Sequence, residues 1–283
     1  MARLRIAVCV KWVDLRPEID ALSGTVSTDE RRFGFSSADQ AALEVALRLA
    51  ATHDAGVTVA CAGVEAAEPA IRELAAAGAD ATVRVDFGAE ASSETVGASL
   101  AAAVRGSDLV ICGDHSMDRG SGSVPGFIAH ALGVAQALGL VEVSPGALLD
   151  DTADGGSLHA VRRLDGGRRE RLDVTLPAVI SVEGSVARLR RAPLHEILTA
   201  RSMPVERHAS APSLVSSPEV GPAQPLRPRP RSWPAPTGER PLDRIVALTG
   251  ALVERTPPRR IEMPPAESAD AILDQLRTWG YLE

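Results

Sequence analysis

The chain has 283 residues, 45% of them hydrophobic, and a formal charge of −7 at pH 7, enough apolar content for one large domain or two small ones. That acidic balance, with basic residues scattered along the chain, argues against nucleic acid as the main partner, because neutralising phosphates needs a clustered basic face. The opening run MARLRIAVCVKWV is too short to span a bilayer and lacks the apolar stretch and cleavage site of a signal peptide. A cytoplasmic protein without membrane insertion is therefore expected. Cys9, Cys61 and Cys112 each lie in an apolar strand-like run, which suits buried, reduced thiols. Lys11 is the only lysine among 30 basic residues, a bias that reflects a GC-rich genome more than function.

Arg5 to Val10 reads as a first strand and Val57 to Ala62 as a second. Between them, Ala38 to Ala51 carries Leu43, Ala46, Leu47 and Ala50 on one helical face, completing a βαβ unit. Asp39 near the start of that helix meets the positive end of its dipole, and Leu15 to Ser36 is a long polar connection of the kind that often carries function. Glu68 to Ala77 reads as a second helix ended by Gly78, Thr82 to Val85 as a third strand, and Ser92 as the N-cap of a third helix reaching Val104. Alternating strands and helices imply right-handed crossovers and a doubly wound, mostly parallel α/β sheet. Ligands of such sheets lie beyond the carboxyl ends of the strands.

Ser107 to Gln136 is the most informative stretch. Leu109 to Cys112 reads as a doubly buried strand, Asp114 to Pro125 is polar and rich in Gly and Ser, and Gly126 to Gly133 resumes helical spacing. A loop of small residues before a helix N-terminus leaves backbone N–H groups bare for phosphate; a plain surface connection has the same composition. After Leu138, three alternating runs separated by Gly-rich turns, one of them Asp165-Gly166-Gly167, predict an antiparallel β-meander, and Ala178 to Val182 a last central strand. Pro193 to Arg201 fits a short helix. From Met203 to Pro236 proline, serine and arginine predict an extended linker. Leu242 to Val253 and Ser268 to Trp279 have helical spacing around the Pro257-Pro258 break.

Catalytic chemistry finds little support. Asp114, His115 and Asp118 could act as acids or bases, yet acidic loop residues more often cap helices or stay solvated. There is no Gly-x-Ser-x-Gly elbow, and His53, His159 and His208 lack ligand spacing. His130 reads as a structural residue on an apolar helix, and Arg162, Arg163, Arg168, Arg169 and Arg171 as a solvated hairpin. Leu194 could be core or surface; Pro193 and His195 favour an exposed loop.

Taken in order, these segments resemble the beta subunit of an electron transfer flavoprotein along nearly the whole chain. LRIAVCVKWVD resembles the family's first strand, FSSADQAALEVALRL its first helix with Glu44 and Arg48, and AAAGAD the helix end before its third strand. GDHSMDRGSGSVPG resembles its nucleotide loop, LDVTLPAVISVEG the strand before its partner loop, and APLHEILTARSMPV the recognition loop, with Leu194 on the anchor leucine. Pro257, Pro258, Arg259 and SADAILDQLRTWG resemble its C-terminal arm.

The resemblance implies a nucleotide-binding α/β domain over 1–205 with a recognition loop near 190–204, a Pro-rich linker over 206–238, and a helical arm over 239–283 that packs on an alpha subunit. It implies a non-catalytic electron carrier: a heterodimer sharing FAD with the alpha subunit and holding AMP in beta, or a second FAD in bifurcating members. Electrons would arrive from a flavin-dependent dehydrogenase and leave toward a quinone reductase, the chemistry belonging to the flavin. The cofactor residues carried over are Cys9, Leu15, Ser36, Ser37, Ala38, Asp39, Ala62, Gly113, Asp118, Gly120, Ser121, Gly122, Ser123 and Val124; Leu194, His195 and Ile197 would bind the dehydrogenase.

Some positions depart from the family. Ser36 and Ser37 replace Asn-Pro, Leu15 lies near a tyrosine that packs toward the flavin, and Ala38 replaces a bulky residue. Ser123 replaces glutamine and Pro125 glycine, which removes a backbone donor; these changes bear on AMP more than on the fold. Two other classes share the sheet. A universal-stress-type regulatory module would need no recognition loop or arm. An ATP-dependent ligase or pyrophosphatase would need a Ser-Gly-Gly-x-Asp-Ser loop after strand one, where this chain has Val10-Lys11-Trp12-Val13.

Overall fold

The computed structural model describes residues 3–87, 91–149, 156–210, 221, 235–250, 260 and 262–282. Gly88, Pro257, Pro258, Arg259 and most of the expected 206–238 linker lie outside that set. The chain divides into two compact units, Met1–Leu226 and Arg227–Glu283.

In the first unit β1 (Leu4–Lys11) leads into an excursion carrying β2 (Val13–Asp14), β3 (Glu18–Ile19), β4 (Val26–Ser27) and β5 (Phe33–Gly34). These pair antiparallel, β2 with β5 and β3 with β4. Asp14, buried, folds the excursion by accepting from the backbone N–H groups of Arg16 and Asp29 at 2.8 and 3.0 Å. Then come α1 (Ser37–His53), β6 (Ala55–Gly63), α2 (Glu68–Ala75), β7 (Ala81–Asp86), α3 (Ser93–Ala103), β8 (Leu109–Gly113) and α4 (Val124–Leu132). The meander β9 (Ala135–Leu149), β10 (Ser157–Arg163) and β11 (Arg169–Thr175) follows, then β12 (Ala178–Val182), α5 (Leu194–Ala200) and β13 (Val205–His208).

The main sheet runs β11-β10-β9-β12-β8-β1-β6-β7-β13. It is parallel from β9 through β12 to β13 and antiparallel only along β9, β10 and β11, the doubly wound sheet with an added meander that the sequence predicts. Alternation along each strand sends side chains to opposite faces. Ile6, Val8, Val57, Val59, Leu109, Ile111 and Ile180 pack with Leu43, Leu49 and Ile71 of α1 and α2. Ala7, Cys9, Ala60, Val110 and Cys112 pack with Val96 and Leu100 of α3 and Ile128 of α4 on the other face. Each fully buried leucine or isoleucine contributes about 1.5–3 kcal/mol. The three cysteines are buried and free.

Helix boundaries follow local chemistry. Ser36 and Asp39 form a reciprocal capping box at the start of α1. Ser92 caps α3 by accepting from Thr95 N–H at 3.1 Å, and Gly133 ends α4 in the left-handed conformation.

Three expectations change. The meander begins earlier, because β9 first pairs parallel with β12 from Ala135 before it turns to β10. His130 lies exposed on α4. Glu206, expected to open the linker, instead lies in β13, which pairs with β7 from Val205↔Thr82 to His208↔Val85. Side chains explain that strand: Thr82 Oγ1 donates to Pro204 O at 2.8 Å, and Arg72 Nε to Met203 O at 2.9 Å. Buried Glu68 accepts from Arg84 Nε at 3.1 Å and Arg207 Nε at 3.0 Å, while Arg84 also pairs with Asp86.

In the second unit α6 (Pro241–Thr249) and α7 (Pro265–Thr278) each begin with proline in the first turn, where the missing N–H costs no helical bond. No helix among the described residues is long and apolar enough to cross a membrane.

Candidate functional site

The carboxyl ends of β1, β6 and β8 open into a cleft. Its floor is Cys9, Val10, Lys11, Ala62, Cys112 and Gly113; its walls are Ser93, Val96 and Leu100 of α3, Asp39 of α1, and His115, Ser116, Arg119 and residues 121–125 of the following loop and helix start. The position follows from the winding: helices leave β1 and β8 on opposite faces of the sheet, so the crevice between their first turns stays open.

Two glycines shape it. Gly113 lets the start of α1 approach β8, since a Cβ there would sit 2.9 Å from Ala38 Cβ and 3.1 Å from Asp39 N. Gly122 has φ +60°, and a Cβ would lie 2.5 Å from Asp114 O, so only glycine serves. At the start of α4 the first turn offers the N–H groups of Val124 and Gly126. Pro125 between them has none, and Phe127 N–H is already bonded to Ser123 O at 3.2 Å.

Cys9 and Cys112 stand in register on β1 and β8. A hydrogen bond with Cys9, together with burial, pushes the Cys112 thiol well above its usual range, so Cys112 stays a neutral thiol. Asp39 is nearly enclosed. Burial pushes its carboxyl up to about 7, against hydrogen bonds from Ser36 Oγ and N–H and from Lys11 N–H. Lys11 Nζ bonds Asp118 Oδ2 at 2.5 Å. Burial alone would raise Asp118, but hydrogen bonds from Lys11 and Ser116 and the charge of Lys11 hold it below the usual range. Arg119 Nη1 donates to Ala91 O at 2.6 Å, tying the loop to the approach of α3.

Beside the cleft runs an apolar groove lined by Trp12, Val13, Ile19, Val26, Phe33, Val64, Phe87 and Met117, with Lys11 and Asp118 between the two. The chain has only eight aromatic residues, and Trp12 packs on Phe33 and Phe35 with ring centroids 5.9 and 5.6 Å apart.

Eight of the sequence-derived cofactor residues line the cleft: Cys9, Asp39, Ala62, Gly113, Ser121, Gly122, Ser123 and Val124. Ser36, Ser37 and Ala38 lie behind it, capping α1 or packing against Gly184 and Gly113. Asp118 faces the groove, Gly120 sits in an open turn, and Leu15 covers Gly34 outside the cleft. On α5 Leu194 and His195 are exposed, while Ile197 is half-buried and Leu198 takes the outward place. Sequence reasoning did not assign Ser93, Val96, Leu100 and Cys112 to the cleft, and it placed Lys11, His115 and Arg119 only within the strand end and loop where the winding puts a ligand. Lys11 carried a usable signal as the lone lysine at a strand end. Among the described residues no group of three or more His, Cys, Asp or Glu could hold a metal ion.

The fold and cleft define a doubly wound α/β protein with a glycine- and serine-lined crevice at the carboxyl ends of its strands. A family model described as the electron transfer flavoprotein domain matches residues 24–213. The electron transfer flavoprotein subunit beta of Mycobacterium tuberculosis is 35% identical over 173 residues, 59% of this chain and 62% of that protein. The subunit of the same name from Syntrophomonas wolfei is 30% identical over 214 residues, 74% of this chain and 81% of that one. Protein FixA of Azorhizobium caulinodans is 29% identical over 208 residues, covering 70% and 72%. The match to the mycobacterial relative thus spans under two thirds of its length. The chain belongs to the electron transfer flavoprotein family, as a divergent beta-type member.

Proposed function

We propose that the chain is the beta subunit of a cytoplasmic heterodimeric electron transfer flavoprotein: it forms one wall of an FAD site shared with an alpha subunit and seats AMP in the cleft. It docks a flavin-dependent dehydrogenase through Leu194, His195 and the α5 segment and relays electrons toward a quinone reductase, as a carrier and not a catalyst. The observation that carries the reading is the cleft itself, where the loop from Gly113 to Pro125 meets the ends of β1 and β6 and the start of α1.

The residues fit an adenine mononucleotide. The apolar floor of Cys9 and Cys112 with Val96 and Leu100 suits the faces of a base. Lys11, His115, Arg119 and the two N–H groups at the start of α4 suit a phosphate. When bound, FAD supplies the electron-carrying chemistry. The protein's part is position: Trp12, Phe33 and Phe87 in the groove offer an apolar wall beside the cleft, and Lys11 with Asp118 separates that wall from the nucleotide. The domain at 1–205 continues through β13, and the apolar stripes of α6 and α7 fit an arm that packs on the alpha subunit.

The test is co-expression with an alpha-type subunit, purifying through a tag on this chain. The reading expects a one-to-one complex with a flavin absorption spectrum. A chain that purifies alone and colourless would overturn it and favour a universal-stress-type regulatory module.

A further inference from the structure

Resting on the reading of the cleft as the AMP seat, we propose that Cys9 and Cys112 are a peroxide-oxidised dithiol, which closes to a disulfide when the cleft is empty and so shuts out the nucleotide. The pairing rests on register and face. Cys9↔Cys112 is a matched pair on the parallel strands β1 and β8, and the last one of that ladder. Both side chains belong to the cluster that packs with α3 and α4, both line the cleft, and their thiols hydrogen-bond each other. Cys61 packs on the opposite face with α1 and α2, and its Sγ donates to Ala62 O at 3.6 Å. Of the three cysteines, only Cys9 and Cys112 share a face.

Strand geometry makes the bridge possible and strained. Adjacent strands lie about 4.8 Å apart, within the Cα separation of disulfides, whereas bridged Cβ atoms stand about 3.8 Å apart. Side chains rise nearly perpendicular to the sheet, so closing the bond draws the two Cβ atoms together by about 1 Å. The end of the ladder can take up that shift, since beyond it β8 has only Gly113 and β1 only Val10 and Lys11. All three belong to the cleft floor, so the seat of the base moves with them. A bridge under such strain is readily reduced again, which is the property of regulatory disulfides and not of structural ones.

The thiols are 5% and 4% exposed, so the oxidant must be small and uncharged. Hydrogen peroxide meets that condition; bulky disulfides do not. One sulfur attacks a peroxide oxygen, the O–O bond breaks, water leaves with that thiol's proton, and a sulfenic acid remains. The second sulfur attacks the first, the S–S bond forms, the S–O bond breaks, and a second water leaves with the second thiol's proton. Two electrons pass from sulfur to peroxide, and nothing else is consumed. Because Cys112 stays protonated, the pair reacts slowly and answers sustained peroxide. A nucleotide lying on the floor shields it.

The experiment uses the purified heterodimer, depleted of AMP by charcoal and treated with hydrogen peroxide with or without added AMP. After catalase and denaturation, free thiols are alkylated and peptides are mapped without reduction. The peptides holding Cys9 and Cys112 should be joined, with Cys61 alkylated. AMP at about ten times its dissociation constant should slow the joining about tenfold by mass action. In equilibrium dialysis the oxidised heterodimer should bind AMP about tenfold or more weakly than the untreated one, and dithiothreitol should restore binding. C9A and C112A, each compared with its own untreated sample, should show no peroxide effect on AMP binding. The mapping on wild type stands whether or not the variants assemble.

Cys9 and Cys112 both still alkylated after peroxide, or carried on to sulfinic acids without a bridge, would overturn the proposal and leave the AMP seat standing, because binding to the untreated heterodimer is measured separately. A bridge that leaves AMP affinity unchanged, or a peroxide effect that survives in C9A, would overturn it as well. An untreated heterodimer that does not bind AMP would overturn the reading of the cleft and this proposal together.

Discussion

Replacing Asp39 with asparagine isolates the cost of keeping a carboxylate at the inner wall of the cleft. Burial pushes this carboxyl from 3.8 up to about 7 in the folded chain, while in the unfolded chain it stays near its ordinary value. Between about pH 4 and pH 7 the folded state therefore holds a proton that the unfolded state has released. The stability tied to that proton is fully present below pH 3.8, is lost as pH rises through 7, and levels off above it. A displacement of about three units at 1.36 kcal/mol each amounts to about 4 kcal/mol over the whole window. Asparagine keeps the shape and can still accept from Ser36 N–H and Oγ, now 3.1 and 2.9 Å from Asp39 Oδ2, but it never ionises. D39N should therefore gain on wild type by about 3 kcal/mol between pH 5 and pH 8, with other titrating groups cancelling in the difference. Urea denaturation of both full-length chains at several pH values, extrapolated linearly to water, measures it. Parallel stability curves would refute the reasoning by showing an ordinary carboxyl. A variant that loses ground as pH rises would show that Lys11 outweighs burial.

Gly113→Ala should cost about 1–3 kcal/mol, because its Cβ would press on Ala38 and the Asp39 N–H; urea midpoints and AMP content of the heterodimer should fall together. Glu68→Ala removes one of the two carboxylates paired with Arg84, which is only 2% exposed and keeps Asp86, and should cost about 1–3 kcal/mol. Faster amide exchange across Val205–His208 should accompany that loss. Glu44→Ala should cost about 1–3 kcal/mol and, with Arg190 freed, speed proteolysis near residues 185–193 while leaving the sheet intact.

The fold was legible where one local rule decided the outcome. Ser92 marked a helix start because caps act within four residues, and the apolar runs at Val57 and Leu109 could only be buried strands in an alternating chain. β13 was not legible. Val205 to His208 is four residues beside a proline-rich tract, and what holds it is Glu68 bridging Arg84 and Arg207 from 139 residues away. The cleft was half legible for a similar reason. Loop composition flagged Gly113, Gly122 and their neighbours, whereas Ser93, Val96 and Leu100 read as an ordinary helix stripe until the sheet showed which residues of α3 line the cleft. At α5, composition could not settle helical phase, so Ile197 was assigned outward where Leu198 stands. Leu15, placed by resemblance, covers Gly34 because the excursion folds around Asp14.

The central claim is tested most directly by denaturing the co-purified complex of this chain with an alpha-type subunit and counting the nucleotides released. The account predicts one FAD and one AMP per heterodimer, with AMP alone lost when Gly122 is replaced by valine. One FAD without AMP would contradict the assignment of the cleft, two FAD would replace the mononucleotide with a dinucleotide, and no flavin with no stable complex would contradict the electron-transfer role itself.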